Sequence, residues 1–158
     1  MRNNLNKFCM KALTFLVVFI LMLFSCKKEG SNTMDPIVGK WKLEKFMAYS
    51  GKDGSILEEE PANECSAESY YEFLVDHTGK ENSALGSKES DCEQWQRTIK
   101  KYSYEPSSHI LKITFDNFEA EYAVYELTED RLEIESARED SDIDSDGVED
   151  RFSNIYRK

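Results

Sequence analysis

The chain has 158 residues, 40% of them hydrophobic and 32% charged, with 20 Lys and Arg against 31 Asp and Glu and a net charge of −11. A field of that sign repels phosphate backbones and anionic lipid surfaces, which excludes nucleic acid and electrostatic membrane binding. The first 25 residues carry Arg2, Lys7 and Lys11, no acid, and a 13-residue apolar run from Ala12 to Phe24. That run is too short to span a bilayer, which takes roughly 17 to 25 residues, and its charged-then-apolar layout is that of a secretory signal.

The run ends in Leu23-Phe24-Ser25-Cys26 and gives way to Lys27-Lys28-Glu29. A small residue followed by Cys at this place resembles the lipobox of bacterial lipoproteins. The resemblance implies that residues 1–25 are removed and that Cys26 is lipidated as the new N-terminus. The expected location is the cell envelope, as an outer-membrane lipoprotein on its periplasmic side or at the cell surface. Removing the signal leaves 133 residues, enough for one domain with a real core. Their 17 bases and 31 acids give a net charge of −14, so membrane attachment falls to the acyl chains.

Cysteine counting points to the same compartment. Cys9 leaves with the signal and Cys26 takes the lipid, so Cys65 and Cys92 remain as one pair in an oxidising space and are expected to be bridged. The alternative, a metal or redox role, finds no CxxC and no His within eight residues of either Cys.

Residues 26–34 are short and polar and read as a flexible tether, and the domain is expected over 35–158. Asp35-Pro36-Ile37-Val38 suits a short capped helical turn, since Asp fits an N-cap and Pro the first helical position. Gly39-Lys40-Trp41-Lys42-Leu43 then alternates as a half-buried strand should. Further strands are expected over Tyr70–Val75, Lys80–Leu85, Trp95–Tyr104, Ile110–Phe115, Phe118–Leu127, Arg131–Ser136 and Phe152–Arg157. Turn residues separate them, notably Asp76-His77-Thr78-Gly79, Pro106-Ser107-Ser108 and Asp116-Asn117. The loops are expected over Ser50–Ser66, Gly86–Glu93 and Glu139–Asp150.

A turn running into Gly39-x-Trp41 on the first strand, followed by seven more strands at regular spacing, resembles the lipocalin-like domains of bacterial lipoproteins. The resemblance implies an all-β, eight-stranded antiparallel up-and-down barrel, with a β-sandwich as the competing architecture. It also implies that Gly39 and Trp41 close the barrel base with a basic residue of the last strand packed over the indole. Arg157 is the matching candidate, and the alternative is a solvated charge beside the terminus. Members often carry Cys before the second strand and after the third, where Cys65 and Cys92 fall. Lipocalins hold small apolar ligands, and inward Phe73, Leu111, Phe115, Tyr122 and Leu132 are the candidate cavity wall, although they would equally fill a barrel solid.

Asp142-Ile143-Asp144-Ser145-Asp146-Gly147-Val148-Glu149-Asp150 puts carboxylates at positions one, three, five and nine, with Gly at six. This resembles the calcium loops of EF-hands and thrombospondin type 3 repeats. The resemblance implies calcium as a structural cofactor, with Asp142, Asp144, Asp146, the Val148 carbonyl and Asp150 as ligands. Position twelve is Ser153, so Glu139 or Asp140 would supply the missing oxygen. A solvated acidic hairpin tip accounts for the acidity but not for the every-second-residue spacing.

Catalysis is not expected. The two His, His77 and His109, lie at turns, and no nucleophile elbow, phosphate-cradling Gly loop or zinc spacing is present. Glu58-Glu59-Glu60 beside Pro61 reads as an exposed loop rather than a glycosidase pair. Two functions of different class stand: a lipid-anchored monomer binding a small apolar ligand, and a calcium-stabilised interaction lipoprotein whose loops bind an envelope protein or glycan.

Overall fold

The computed structural model describes residues 35–87, 90–136 and 141–158, with only the backbone of Ser90. The expected signal peptide and tether, with Cys26, lie outside these residues, as do Glu139 and Asp140. Among the described residues ten strands form: β1 (Gly39–Tyr49), β2 (Ile56–Pro61), β3 (Tyr70–Phe73), β4 (Gly79–Ser87), β5 (Ser90–Ile99), β6 (Lys101–Glu105), β7 (Ile110–Thr114), β8 (Glu119–Leu127), β9 (Arg131–Glu135) and β10 (Arg151–Arg157). Nine lie on one path, β5-β4-β3-β1-β10-β9-β8-β7-β6, and β2 pairs with β1 beside it. The two ends of the path are consecutive in the chain. Where β5 bends into β6, the Lys100 N–H donates to the Thr114 carbonyl at 2.9 Å and the sheet passes to β7. With β5 and β6 taken as one bent strand, the path is an eight-strand antiparallel meander, nearly closed as a barrel by β1 on β10.

The all-β barrel agrees with the alternation in the sequence; the strand inventory is corrected in three places. The expected Trp95–Tyr104 strand breaks at Lys100, because its first half pairs with β4 and its second with β7. The expected loop Ser50–Ser66 contains β2, which forms an antiparallel hairpin with the second half of β1. β3 then pairs with the first half of the same edge, so β1 serves two partners in turn. The Gly86–Glu93 loop is likewise mostly strand, as the ends of β4 and β5.

The register of β1 decides which side chains enter the barrel. Trp41 and Leu43 face inward, but between Leu43 and Lys45 the pairing with β10 shifts by one residue. Such a bulge reverses the alternation beyond it. Phe46 therefore joins the core while Lys45 turns outward to Glu59, at 2.7 Å. Below the bulge the interior is packed: Trp41, Phe73, Ile99, Tyr102, Leu111, Ile113, Leu132 and Ile134 are all fully buried. Phe73 meets Tyr102 edge-on at 4.8 Å, a favoured aromatic geometry.

Candidate ligand-binding site

At the base, Asp35 to Val38 forms a single turn, closed by the Val38 N–H on the Asp35 carbonyl at 2.9 Å, with the Asp35 carboxylate accepting the Ile37 N–H at 3.2 Å. Fully buried Ile37 presents its carbonyl to Trp41 Nε1 at 2.7 Å, which gives the indole its hydrogen-bond partner. The residue over the indole is Lys158, with Nζ 4.4 Å from the ring centroid, and not Arg157. The reason is strand alternation: Arg157 lies opposite outward-facing Lys42, so its neighbour is the one that turns toward Trp41. Arg157 instead pairs with Glu44 at 2.9 Å and Asp130 at 3.4 Å. Gly39, at φ 139°, makes room for Lys158, since a Cβ there would sit 2.6 Å from Lys158 Cε.

The five residues expected to wall a cavity fill the barrel instead. Phe73, Leu111, Phe115 and Leu132 are buried in one core, with Tyr122 packed partly buried against it. Tyr122 hydrogen-bonds Tyr71, and Tyr71 donates to Glu81 at 3.3 Å. Buried Glu81 is matched by Arg97, with Nε 2.7 Å and Nη2 3.0 Å from its two oxygens. Burial holds the Tyr71 and Tyr156 hydroxyls well above the ordinary phenol value. This interior polar layer was not expected from the sequence, since each member stands on a different strand.

Above the bulge the barrel opens. A cavity of about 280 Å³ is lined by apolar Phe46, Ala48 and Phe152 and by polar Glu58, Glu60 and Asn154. The register builds it as two rows. In one, Glu60, Phe46, Asn154 and Ile134 are successive cross-strand partners; in the other, Glu58, Ala48 and Phe152 are. Residues directly opposite share a face, so Glu58 and Glu60 project on the barrel's inner side while Glu59 points out to Lys45. The acidic run expected as an exposed loop is thus the lip of the cavity. Asn154 Oδ1 is buried with no hydrogen-bond partner.

The same end carries the aspartate loop. Carboxylate oxygens of Asp142, Asp144 and Asp146 lie within 4.8 Å of one another, with Asp142 and Asp144 exposed and the Asp146 side chain half-buried. Asp142 accepts the N–H groups of Asp146 (3.0 Å) and Gly147 (2.8 Å), which holds its carboxyl below the usual range. Desolvation and the charges of Asp146 and Asp150 push the Asp144 carboxyl up. Asp150 is not in this group. It is buried, accepting the N–H of Gly51 at 3.2 Å and of Ile143 at 2.7 Å, and so ties the loop to the β1–β2 turn. Gly51 is needed there, because a Cβ would lie 1.9 Å from the Glu149 carbonyl oxygen. Val148 is exposed, its N–H donating to Asp146 at 2.9 Å, and Ser153 lies inside β10 with its hydroxyl on Glu133 at 2.8 Å. The expected bridge is present: Cys65 and Cys92 are bonded, with Cα atoms 5.3 Å apart, joining the segment between β2 and β3 to β5.

The sequence profile of the lipocalin-like domain matches residues 37–134. The chain belongs to the lipocalin-like domain family. A lipocalin-like protein from Bacteroides uniformis, known from its crystal structure, is similar at 16% identity and a TM-score of 0.46, over 78% of this chain and 99% of that one. No curated protein matches the chain. In this lipocalin-like barrel the matched span runs from Ile37 under the Trp41 indole to Ile134 below the cavity, and so leaves out β10, which supplies Phe152 and Asn154.

Proposed function

We propose that the protein is a non-enzymatic, lipid-anchored lipocalin-like lipoprotein of the cell envelope that binds a small, largely apolar ligand at the open end of its barrel. The observation that carries this reading is the cavity of about 280 Å³ above the packed core, floored by Phe46, Ala48 and Phe152. Its size is near the lower end for small-molecule sites, and it combines apolar surface with polar groups on the strands either side of β1. The lipid on Cys26 would hold the domain at the outer membrane, on its periplasmic side or at the cell surface. Native mass spectrometry of the protein purified from its host tests the ligand: a retained small molecule supports the reading, and an empty protein that also takes up none from host lipid extract contradicts it.

A second reading rests on the Asp142, Asp144 and Asp146 cluster, whose hard oxygen donors suit calcium and whose loop grips the β1–β2 turn through Asp150. In it the ion is structural, and the loops of that end bind an envelope protein or glycan. With a Kd near ~10⁻⁴ M, 2 mM calcium adds ~1.8 kcal/mol, a rise of roughly 4 to 8 °C in melting temperature. Asp144→Asn with Asp146→Asn removes that rise, and magnesium gives much less of it. Equal melts in EDTA, calcium and magnesium would leave the loop a solvated acidic tip.

A further inference from the structure

Among the described residues, those lining the cavity carry charge of one sign. Its polar lining consists of the Glu58 and Glu60 carboxylates with Asn154, Ser136 and Ser153, and none of the described residues lining it is basic. Among the described residues, neither Glu58 nor Glu60 has an ion-pair or hydrogen-bond partner. This is not the general condition of acids in the protein. Glu59, between them, is paired to Lys45, Glu81 to Arg97, and Glu133 to both Arg131 and Arg151. Glu58 and Glu60, which β2 turns toward the cavity, have no such partner among the described residues.

A second observation, independent of the acids, points the same way. Asn154 Oδ1 is buried and lacks a donor, in the same cross-strand row as Glu60 and Phe46. A buried acceptor left unmatched is costly, and a ligand that brings a donor relieves it. Phe46 and Phe152 supply apolar surface and ring faces that also attract a cation. A carboxylate ligand would meet two like charges and an oxygen with no hydrogen to offer. A hydrocarbon would leave all three acceptors unanswered.

We propose that the ligand is an amphipathic cation, an amine with an alkyl or aryl body, whose body lies on Phe46, Ala48 and Phe152 and whose ammonium faces Glu58, Glu60 and Asn154 Oδ1. The inference rests on the reading of this cavity as the ligand site and specifies the chemistry of what enters it. The net charge of the chain, −11, draws such a cation in and turns anions away.

Three probes that share one body separate the possibilities: 4-phenylbutylammonium, 4-phenylbutanol and 4-phenylbutanoate, each titrated into the full-length protein in the same non-ionic detergent while its melting temperature is followed. The ammonium raises the melting temperature and binds about fivefold more tightly than the alcohol, as partly exposed charge pairs allow, and the carboxylate gives no shift. In Glu58→Gln with Glu60→Gln the ammonium falls to the affinity of the alcohol while the alcohol is unchanged. The double variant alters only exposed side chains and keeps the fold, and any partition of probe into detergent is common to both proteins. Alcohol or carboxylate binding as tightly as ammonium overturns the charge selectivity and leaves the cavity reading standing. A preference for ammonium that survives in the double variant overturns the assignment to Glu58 and Glu60. Silence from all three probes overturns the inference together with the reading beneath it.

Discussion

The lower and upper halves of the barrel are built from the same β1 and β10, yet they do different work. Below the bulge at Glu44 the two strands contribute Trp41, Leu43 and Tyr156 to a filled core, capped by Lys158 over the indole. Above it they contribute Phe46, Ala48, Phe152 and Asn154 to a cavity rimmed by carboxylates. One extra residue in one strand separates them. The difference teaches that filling and emptiness are set by which side chains a local register presents, not by how apolar a strand looks: the apolar strand interiors are packed, and the acidic β2 borders the space.

The sharpest way to break the contrast is to empty the base. Trp41→Ala removes a fully buried indole and its hydrogen bond to Ile37, and is expected to cost ~3 to 5 kcal/mol. For a domain of this size that is a fall of roughly 10 to 20 °C in melting temperature, read by calorimetry. Next is the bridge. Cys65→Ser is expected to cost about 3 kcal/mol, since it reopens a loop of about 28 residues, and to lower the melting temperature by ~5 to 15 °C. Because Cys65 and Cys92 tie the β2–β3 segment to β5, thermal loss without any change in secondary structure at 25 °C is the expected pattern.

A smaller effect comes from the outer face. Burial pushes the Glu133 carboxyl up, but hydrogen bonds from Ser153, Arg131 and Tyr49 and the charge of Arg151 bring it below the ordinary glutamate value of 4.5. A carboxyl depressed in the folded state contributes stability above its unfolded value, and that contribution is lost as the pH falls through the folded one. Stability is therefore expected to decline below about pH 4.5, and Glu133→Gln should flatten that decline while costing ~1 to 3 kcal/mol at neutral pH. Urea melts across pH 3 to 7 measure both. The smallest effect sharpens the assignment at the base: Lys158→Ala is expected to cost ~0.5 to 1 kcal/mol and to shift Trp41 fluorescence. Arg157→Ala, which breaks only exposed pairs to Glu44 and Asp130, should cost no more than ~1 kcal/mol and leave the fluorescence as it was.

Much of the lower half was legible because its signals are local. Leu111 and Ile113, or Leu132 and Ile134, alternate with polar neighbours, and both pairs turn inward as that period requires. The Cys65–Cys92 bond followed from counting thiols in a chain whose sequence reads as exported. What could not be read depends on pairing between distant strands. The bulge at Glu44 leaves one faint mark in Lys42-Leu43-Glu44-Lys45-Phe46, where the apolar residues slip from odd to even positions. Choosing Arg157 rather than Lys158 is the same error of one residue at a chain end. Glu58-Glu59-Glu60 carries no strand propensity, and β1 recruits it as a neighbour regardless, which is tertiary context overriding local preference. That slip in β1 was in fact the only hint of where the site lies. The expected wall, Phe73, Leu111, Phe115, Tyr122 and Leu132, was correctly inward, but inwardness does not distinguish a packed barrel from a hollow one.

The central claim is that binding belongs to the upper cavity and stability to the core below it, and two variants measured side by side test it most directly. Ala48→Phe places a ring in the cavity, and Leu132→Ala removes volume from the core, at an expected cost of ~2 to 5 kcal/mol. Titration of 4-phenylbutylammonium into each at 25 °C should find binding abolished in Ala48→Phe, whose melting temperature stays near that of the parent, and retained in Leu132→Ala despite its lower one. Undiminished binding in Ala48→Phe, or loss of binding confined to a still-folded Leu132→Ala, would contradict the account.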